Sequence, residues 1–485
     1  MLEYRNYIDG AWTAGDPRAD AFTTFNPATG EEVGRAPETG ADEVDHAVTA
    51  AHAAWSRWRW TLPAERAARL HAFAGVVETR VDPIATAITT EQGKPLDEAR
   101  GEVRKFAAML HYYAEEAERT FGRTIPNAED GFVSIVEKEP VGVVAGIAPW
   151  NYPVELIGWK LAAALAAGCT IVVKPSEYTP GSAVEMWKAL DEAGFPPGVA
   201  NLVHGGGGTG RALVAHPEIA KVAFTGSEAT GQSVYKTVSG ITALSLELGG
   251  TCPMLVSEHA DLELAAKGAV RRSFRNAGQI CIAINRIYVH ERVYDEFVTR
   301  VSEGVERLVV ADGLQNPAAD VGAVTNDEIL ERTSRHVDEA RSRGATITAG
   351  GMRIESGRGL FYAPTVVADT SQEMLVMHEE TFGPAVGIAS VGSLQEGVDL
   401  ANSTGSGLAA YAYTRDVEEV FTMSRRLDFG NVAVNNVDAG IINAPYGGRK
   451  GSGMGYEHGR EGLEGYLILK HLRLRHGALA PEGTR

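Results

Sequence analysis

From Val141 onward, short β-branched runs alternate with helix-length apolar segments, and this alternation narrows the possible folds most. Val141–Ala148 is a strand-like run, and Pro153–Ala167 is a helical segment stopped by Gly168. Thr170–Lys174 is a second strand, followed by a helix over about Gly181–Ala193. Ala200–His204 and Val222–Thr225 continue the strands, and a helix starts over Gly231–Val238. Strands separated by helices require βαβ crossovers, and therefore a parallel sheet. A second α/β block runs from about residue 250 to 435. In it Asp261 caps a helix reaching about Ala277, Ile284–His290 is a strand, and Tyr294–Leu308 is a helix.

The flanks differ. Residues 42–120 are helical by spacing, with Asp42 as an N-cap ahead of Val44, Ala47, Val48, Ala51 and Trp55. A second helix starts at Pro63, a first-turn proline, and a third follows Pro83. Trp55, Trp58 and Trp60 are expected to pack into the core at a helix end. Arg123–Pro126 and Phe132–Lys138 flank a loop ending in Asp130-Gly131, a hairpin pattern. Two strands alone are not stable in water, so this hairpin must lie on another element or on a partner subunit. The last element expected is Gly462–Leu474.

Composition removes several functions. With 485 residues the chain is long enough for about three domain-sized units and a large core. A net charge of −18 disfavours a nucleic-acid or polyanion-binding role. Three cysteines, Cys169, Cys252 and Cys281, make no disulfide framework and suit a reducing compartment. There is no C-x-x-C or H-E-x-x-H pattern, so no metal is expected. The N-terminus lacks a secretory h-region, and the longest apolar run is broken by Pro149-Trp150-Asn151-Tyr152-Pro153. The expectation is a soluble cytoplasmic protein with no membrane partner.

Four places could carry chemistry. Gly205-Gly206-Gly207-Gly208-Thr209-Gly210 satisfies G-x-G-x-x-G between a strand and a helix, but no acidic residue ends a strand some 20 residues later. Phe224-Thr225-Gly226-Ser227 is a second strand-to-helix turn able to meet a phosphate. Cys281, in Arg275-Asn276-Ala277-Gly278-Gln279-Ile280-Cys281, is either a nucleophile or a small buried apolar residue. The second reading is expected for Cys169 and Cys252. Glu247 lies in an apolar strand end, where burial raises a carboxyl toward the range of a general base. No G-x-S-x-G elbow or Walker A motif is present.

Glu247 and Cys281 together carry a resemblance. Ser245-Leu246-Glu247-Leu248-Gly249-Gly250, followed by Asn276–Cys281, resembles the signature of the NAD(P)-dependent aldehyde dehydrogenase superfamily. Further segments match in order: Glu91-Gln92-Gly93-Lys94-Pro95, Pro149–Pro153, Lys174-Pro175-Ser176-Glu177, Phe224–Ser227, Glu379–Pro384 and Pro445-Tyr446-Gly447-Gly448. The likeness covers nearly the whole chain.

The resemblance implies an α/β fold with a Rossmann-like cofactor domain (residues 1–118 and 139–246) and a catalytic α/β domain (247–435). It also implies a small β oligomerisation flap (119–138 and 436–485), and so a homodimer or homotetramer. Cys281 would attack the aldehyde carbon, and Asn151 and the Cys281 N–H would hold the oxyanion. Glu247 would activate the water that releases the acid. Lys174 and Glu177 would contact the adenosine ribose, with Ser176 between them. Gly207 and Gly210 would lie near the adenine, so that their loop is not the main phosphate cradle. Ile147, Pro149, Trp150, Phe224, Thr225 and Leu248 would line the cofactor site, Gly226 and Ser227 would meet the pyrophosphate, and Glu380 and Phe382 the nicotinamide end. A carboxylate at 177 accepts ribose hydroxyls and repels a 2′-phosphate, so NAD is expected over NADP.

Among members, the likeness is nearest to succinic-semialdehyde and lactaldehyde types. Arg275 stands where semialdehyde enzymes place an arginine and is a candidate clamp for a substrate carboxylate. Trp159 stands where those enzymes often carry a second arginine and would make the pocket more apolar. Ile282 and Ala283 follow Cys281, so the second cysteine common in that subgroup is absent and no neighbouring-disulfide switch is expected. The substrate class is then a short semialdehyde or hydroxyaldehyde, anionic if Arg275 clamps it. Alternatives at this stage are a broad-range neutral aldehyde dehydrogenase, an ester-hydrolysing enzyme, and a non-catalytic NAD-binding relative.

Overall fold

The computed structural model describes residues 1–15 and 20–476. The end of the expected C-terminal segment, from residue 477 on, lies outside the described residues.

Strands β1 (Asn6–Ile8) and β2 (Ala11–Thr13) precede four helices: α1 (Ala41–Trp58), α2 (Pro63–Thr79), α3 (Val81–Gln92) and α4 (Leu96–Ala117). Gly40, not Asp42, is the N-cap of α1; Asp42 and Glu43 sit inside the first turn, where they complement the helix dipole. Trp58 is buried, but Trp60 is 68% exposed with the Arg59 guanidinium over its ring. The tryptophan cluster is therefore only partly core, because the chain leaves α1 at Arg59 and turns outward. Ala99, Val103, Phe106, Leu110, Tyr113 and Ala117 form the buried stripe of α4.

The hairpin is β3 (Arg123–Ile125) against β4 (Phe132–Pro140). Next come β5 (Val143–Ile147), α5 (Pro153–Ala167), β6 (Thr170–Lys174), α6 (Pro180–Glu192) and β7 (Ala200–Leu202). They are followed by α7 (Gly207–Ala215), β8 (Ile219–Gly226), α8 (Glu228–Thr237) and β9 (Ala243–Leu248). The five parallel strands lie in the spatial order β9-β8-β5-β6-β7 within an eight-stranded sheet. Strand order therefore reverses between β5 and β8, where Ile147 pairs with Phe224. Open α/β sheets bind ligands outside the carboxyl ends of strands at such a reversal. Every residue of α5 is buried, and its end at Gly168 has φ +92°.

The second layer contains β10 (Cys252–Val256), α9 (Leu262–Phe274), β11 (Ile284–His290), α10 (Tyr294–Glu306) and α11 (Asp327–Ser342). It continues through β12 (Thr346–Ala349), β13 (Thr365–Ala368), β14 (Ala385–Val391), β15 (Ala409–Tyr413) and β16 (Asn431–Val434). Its seven strands run in the order β12-β13-β14-β11-β10-β15-β16, parallel except for β12 on β13. Asp261 caps α9 as its spacing predicts, accepting from the Leu264 N–H. The helix ends at Phe274 rather than Ala277, because Asn276 and Ala277 take φ +51° and +54°.

Two C-terminal strands return to the first half. β17 (Gly453–Met454) pairs with β9, placing Gly453 opposite Glu247. β18 (Leu467–Arg475) runs antiparallel along β4 for its whole length, so within one chain the hairpin is a three-stranded sheet. Ile468, Leu469 and Leu474 remain exposed on β18.

Candidate active site

The Cys281 loop is held by a buried polar network. Gly278 has φ +75°, and a Cβ there would stand 2.2 Å from the Gly383 carbonyl, so only glycine fits. Gln279 donates to the Asn276 carbonyl at 2.9 Å and accepts from the Thr325 N–H at 2.9 Å. Asn276 Nδ2 donates to the Asn151 carbonyl at 3.0 Å, and Asn151 Nδ2 donates to the Gln279 carbonyl at 3.1 Å. Lys94 Nζ also donates to the Asn151 carbonyl, at 2.7 Å, and pairs with Glu102 at 2.6 Å with both side chains fully buried. The other Glu102 oxygen accepts from the Val154 and Glu155 N–H groups at the start of α5. Asn151 is therefore held directly from two segments, the Cys281 loop and Lys94, with Glu102 behind the lysine.

Cys281 is partly buried at the surface of a cavity of about 240 Å³. Asn151, Glu247, Leu156, Trp159, Leu408 and Tyr446 face the same space. Burial pushes the Cys281 thiol up to about 12, opposed by the Tyr446 hydroxyl and by its own backbone N–H. Cys169 and Cys252 are buried and free, as expected of small apolar residues.

Glu247 lies beside Thr225 across the β8–β9 register. Both carboxyl oxygens are buried without a partner. Burial holds this carboxyl well above the usual range; Glu457 raises it further and Lys160 lowers it. Lys160 Nζ reaches Thr225 Oγ1 at 2.6 Å and Glu457 Oε1 at 2.7 Å. A protonatable group thus stands in the cavity with a buried cation–carboxylate pair behind it.

A cleft of about 650 Å³ opens at the strand-order reversal. Ile147, Lys174, Ser176, Glu177, Gly207 and Gly210 line it, together with Phe224. Pro149, Trp150, Thr225, Gly226 and Ser227 line both this cleft and the cavity, so the two spaces are continuous. Ser227 caps α8, accepting from the Thr230 N–H. The rival glycine loop is already filled: the Glu38 carboxylate accepts from Gly206 N–H at 3.0 and 2.9 Å and from Thr209 at 3.0 Å. That carboxylate takes the anion's place at α7 and leaves α8 as the open helix start. Trp150 and Phe382 meet edge to face at 5.5 Å. Leu248 and Glu380 line the cavity, and Glu380 accepts from the Gly250 N–H at 3.1 Å. Burial raises Glu380 to about 7.

A model of the aldehyde dehydrogenase family matches residues 12–472. The chain belongs to this family. A 3-sulfolactaldehyde dehydrogenase of Pseudomonas putida is 39% identical to this aldehyde dehydrogenase, over 98% of the chain and 97% of that protein. The NADP(+) succinate-semialdehyde dehydrogenase of Escherichia coli is 39% identical, over 97% and 98%. Among solved structures, a lactaldehyde dehydrogenase superposes with a TM-score of 0.95 at 35% identity, over 98% and 99% of the two chains. The expected family and α/β fold are thereby shown, and the protein is an oxidoreductase that uses NAD(P) to oxidise aldehydes.

Two residues expected at the substrate separate in this aldehyde dehydrogenase. Trp159 is buried and lines the cavity, in edge contact with Tyr446 at 5.2 Å. Arg275 lines a neighbouring cleft beside Asp97, Glu98 and Arg271, with its guanidinium 3.8 Å from Glu98. The left-handed turn at Asn276 and Ala277 lies between Arg275 and the cavity residues of its loop. Lys94, Glu102, Lys160, Glu457 and Tyr446 had no assigned role from sequence. Only Lys94 and Tyr446 lay in segments carrying the family resemblance, and the pairing of Lys160 with Glu457 spans 297 residues.

No helix among the described residues is long and apolar enough to cross a membrane.

Proposed function

We propose that this aldehyde dehydrogenase uses NAD to oxidise a short aldehyde through a Cys281 thioester. The observation that carries the reading is the single cavity shared by Cys281, Asn151 and Glu247, continuous with the cleft at the strand-order reversal. Cys281 gives up its proton to solvent, and the resulting thiolate attacks the aldehyde carbon. The Asn151 amide and the Cys281 N–H take the developing oxyanion. Glu247 then removes a proton from the water that attacks the thioester, and the acid leaves with Cys281 restored.

The cleft fits a dinucleotide. Its open helix start at Ser227 suits a pyrophosphate, and the slot beside Trp150 and Phe382 suits a flat ring. Lys174, Ser176 and Glu177 would hold the adenosine ribose, Gly207 and Gly210 the adenine end, and Glu380 the nicotinamide ribose. When bound, NAD supplies the hydride acceptor for oxidation of the thiohemiacetal. The Glu177 carboxylate favours NAD by repelling a 2′-phosphate.

We assign the cofactor to the eight-stranded layer, the catalytic cysteine to the seven-stranded layer, and subunit contact to the β3–β4–β18 sheet, giving a dimer or tetramer. The substrate proposed is a short semialdehyde or hydroxyaldehyde, following the names of the relatives. A neutral-aldehyde reading is favoured by one observation: Leu156, Trp159 and Leu408 wall the cavity while Arg275 lies beside Glu98. The test is initial NADH formation with anionic and neutral aldehydes of equal length, with Cys281→Ala as control. Preference for the anionic member in kcat/KM supports the semialdehyde reading; equal or better use of the neutral member supports the other. NADH formation by Cys281→Ala would sink both.

A further inference from the structure

Tyr446 Oη stands 3.4 Å from Cys281 Sγ, within hydrogen-bond range for sulfur. The tyrosine is buried and lines the aldehyde cavity. Its ring is fixed by edge contact with Trp159 at 5.2 Å and by His458 at 5.6 Å. Its backbone is bridged to Glu457 by two hydrogen bonds of 2.7 Å, and Glu457 is the residue that holds Lys160. The backbone that carries the tyrosine is therefore tied to the segment that supplies a buried ion pair, and the ring is held by its aromatic neighbours.

We propose that Tyr446 is a positioning residue that donates its hydroxyl hydrogen to the Cys281 thiolate and holds the sulfur toward the aldehyde. This rests on Cys281 being the nucleophile. A thiolate has no proton to give, so once the thiol is deprotonated the tyrosine must be the donor. Charge-assisted hydrogen bonds are about twice as strong as neutral ones, so the contact favours the thiolate over the thiol. The other groups facing the sulfur do not help it ionise. Glu247 and Glu380 carry like charge and push the thiol up, while Cys252 only donates to the Cys281 carbonyl at 3.4 Å. Tyr446 is the side chain in this set that opposes the burial penalty.

The experiment measures the rate of alkylation of the full-length enzyme by iodoacetamide from about pH 6 to about pH 10, with labelling at Cys281 followed by peptide mass spectrometry. This range is the limb below the raised midpoint, where a shift of the midpoint reads directly as a change in rate. Tyr446→Phe keeps the ring and removes the hydroxyl. It should raise the alkylation midpoint by about one unit, labelling about tenfold more slowly below the midpoint. Its kcat/KM should fall about tenfold while NAD affinity, which also reports folding, is unchanged. Site-specific 3-fluorotyrosine at 446, a stronger donor of the same shape, should move the midpoint down, and this arm stands if the phenylalanine variant fails to fold. Midpoints that coincide with the unmodified enzyme overturn the role of Tyr446. NADH formation surviving in Cys281→Ser would overturn the nucleophile itself, a separate outcome.

Discussion

Lys160 and Glu457 form an ion pair of 2.7 Å with only 1% and 3% of their side chains exposed. They come from the buried helix α5 and from the C-terminal segment beyond β17, and they meet directly behind Glu247. Lys160 also holds Thr225, the register partner of Glu247. Glu247, the proposed general base, is thus seated on a pair that ties the C-terminal segment to the middle of the chain.

Removing one member of a buried pair leaves an uncompensated charge, which costs about 3–5 kcal/mol. Lys160→Met should therefore lower the unfolding free energy by about that amount in urea titration. It also removes the cation that lowers Glu247. A carboxyl held above its ordinary value gains its base form only as pH rises through the raised value. The rising limb of kcat against pH should therefore move to higher pH in the variant. An unchanged limb would separate Lys160 from the base.

Glu177 lines the cofactor cleft 3.9 Å from Lys174. Replacing it with serine removes the negative charge that opposes a 2′-phosphate. Glu177→Ser should improve kcat/KM for NADP by about tenfold or more and weaken NAD use, measured side by side with one aldehyde. No change in the NADP to NAD ratio would move the source of cofactor preference elsewhere.

Gly158 sits where α5 crosses α4, and a Cβ there would stand 2.3 Å from the Phe106 ring. Phe106 is itself packed edge to face on Phe73 at 5.5 Å, so it has little room to yield. Gly158→Ala should cost about 1–3 kcal/mol in chemical denaturation. Because α5 starts beside Asn151, thermal stability and activity should fall together.

Much of both layers is legible in the sequence. Pro153–Ala167, Thr170–Lys174 and Ile284–His290 are bounded as their sequences predict, because each is an apolar run closed by glycine, proline or a charged turn. Asn151, Glu247 and Cys281 stood in local motifs, and they converge on one cavity. What was not legible depends on distant pairing. Glu38 fills the G-x-G-x-x-G turn from 168 residues away, and nothing in the local spacing around Gly206 signals an internal carboxylate. Arg275 was one step from a motif, yet two left-handed residues after it turn the chain. The helix α9 stops short of Ala277 for the same reason. The mate of the 119–138 hairpin was open because antiparallel pairing with Leu467–Arg475 leaves no trace in either strand alone.

The central claim is that Cys281 carries the acyl group and Glu247 discharges it. Glu247→Gln should still release one equivalent of NADH in a burst and then turn over about 10²–10⁴-fold more slowly. Acid quenching after the burst, followed by intact and peptide mass spectrometry, measures the trapped species directly. The account predicts a mass gain on the Cys281 peptide equal to the aldehyde less two hydrogens, one leaving as hydride and one as the thiol proton. An enzyme that forms NADH with no adduct on Cys281, or with the acyl group on another residue, would contradict it.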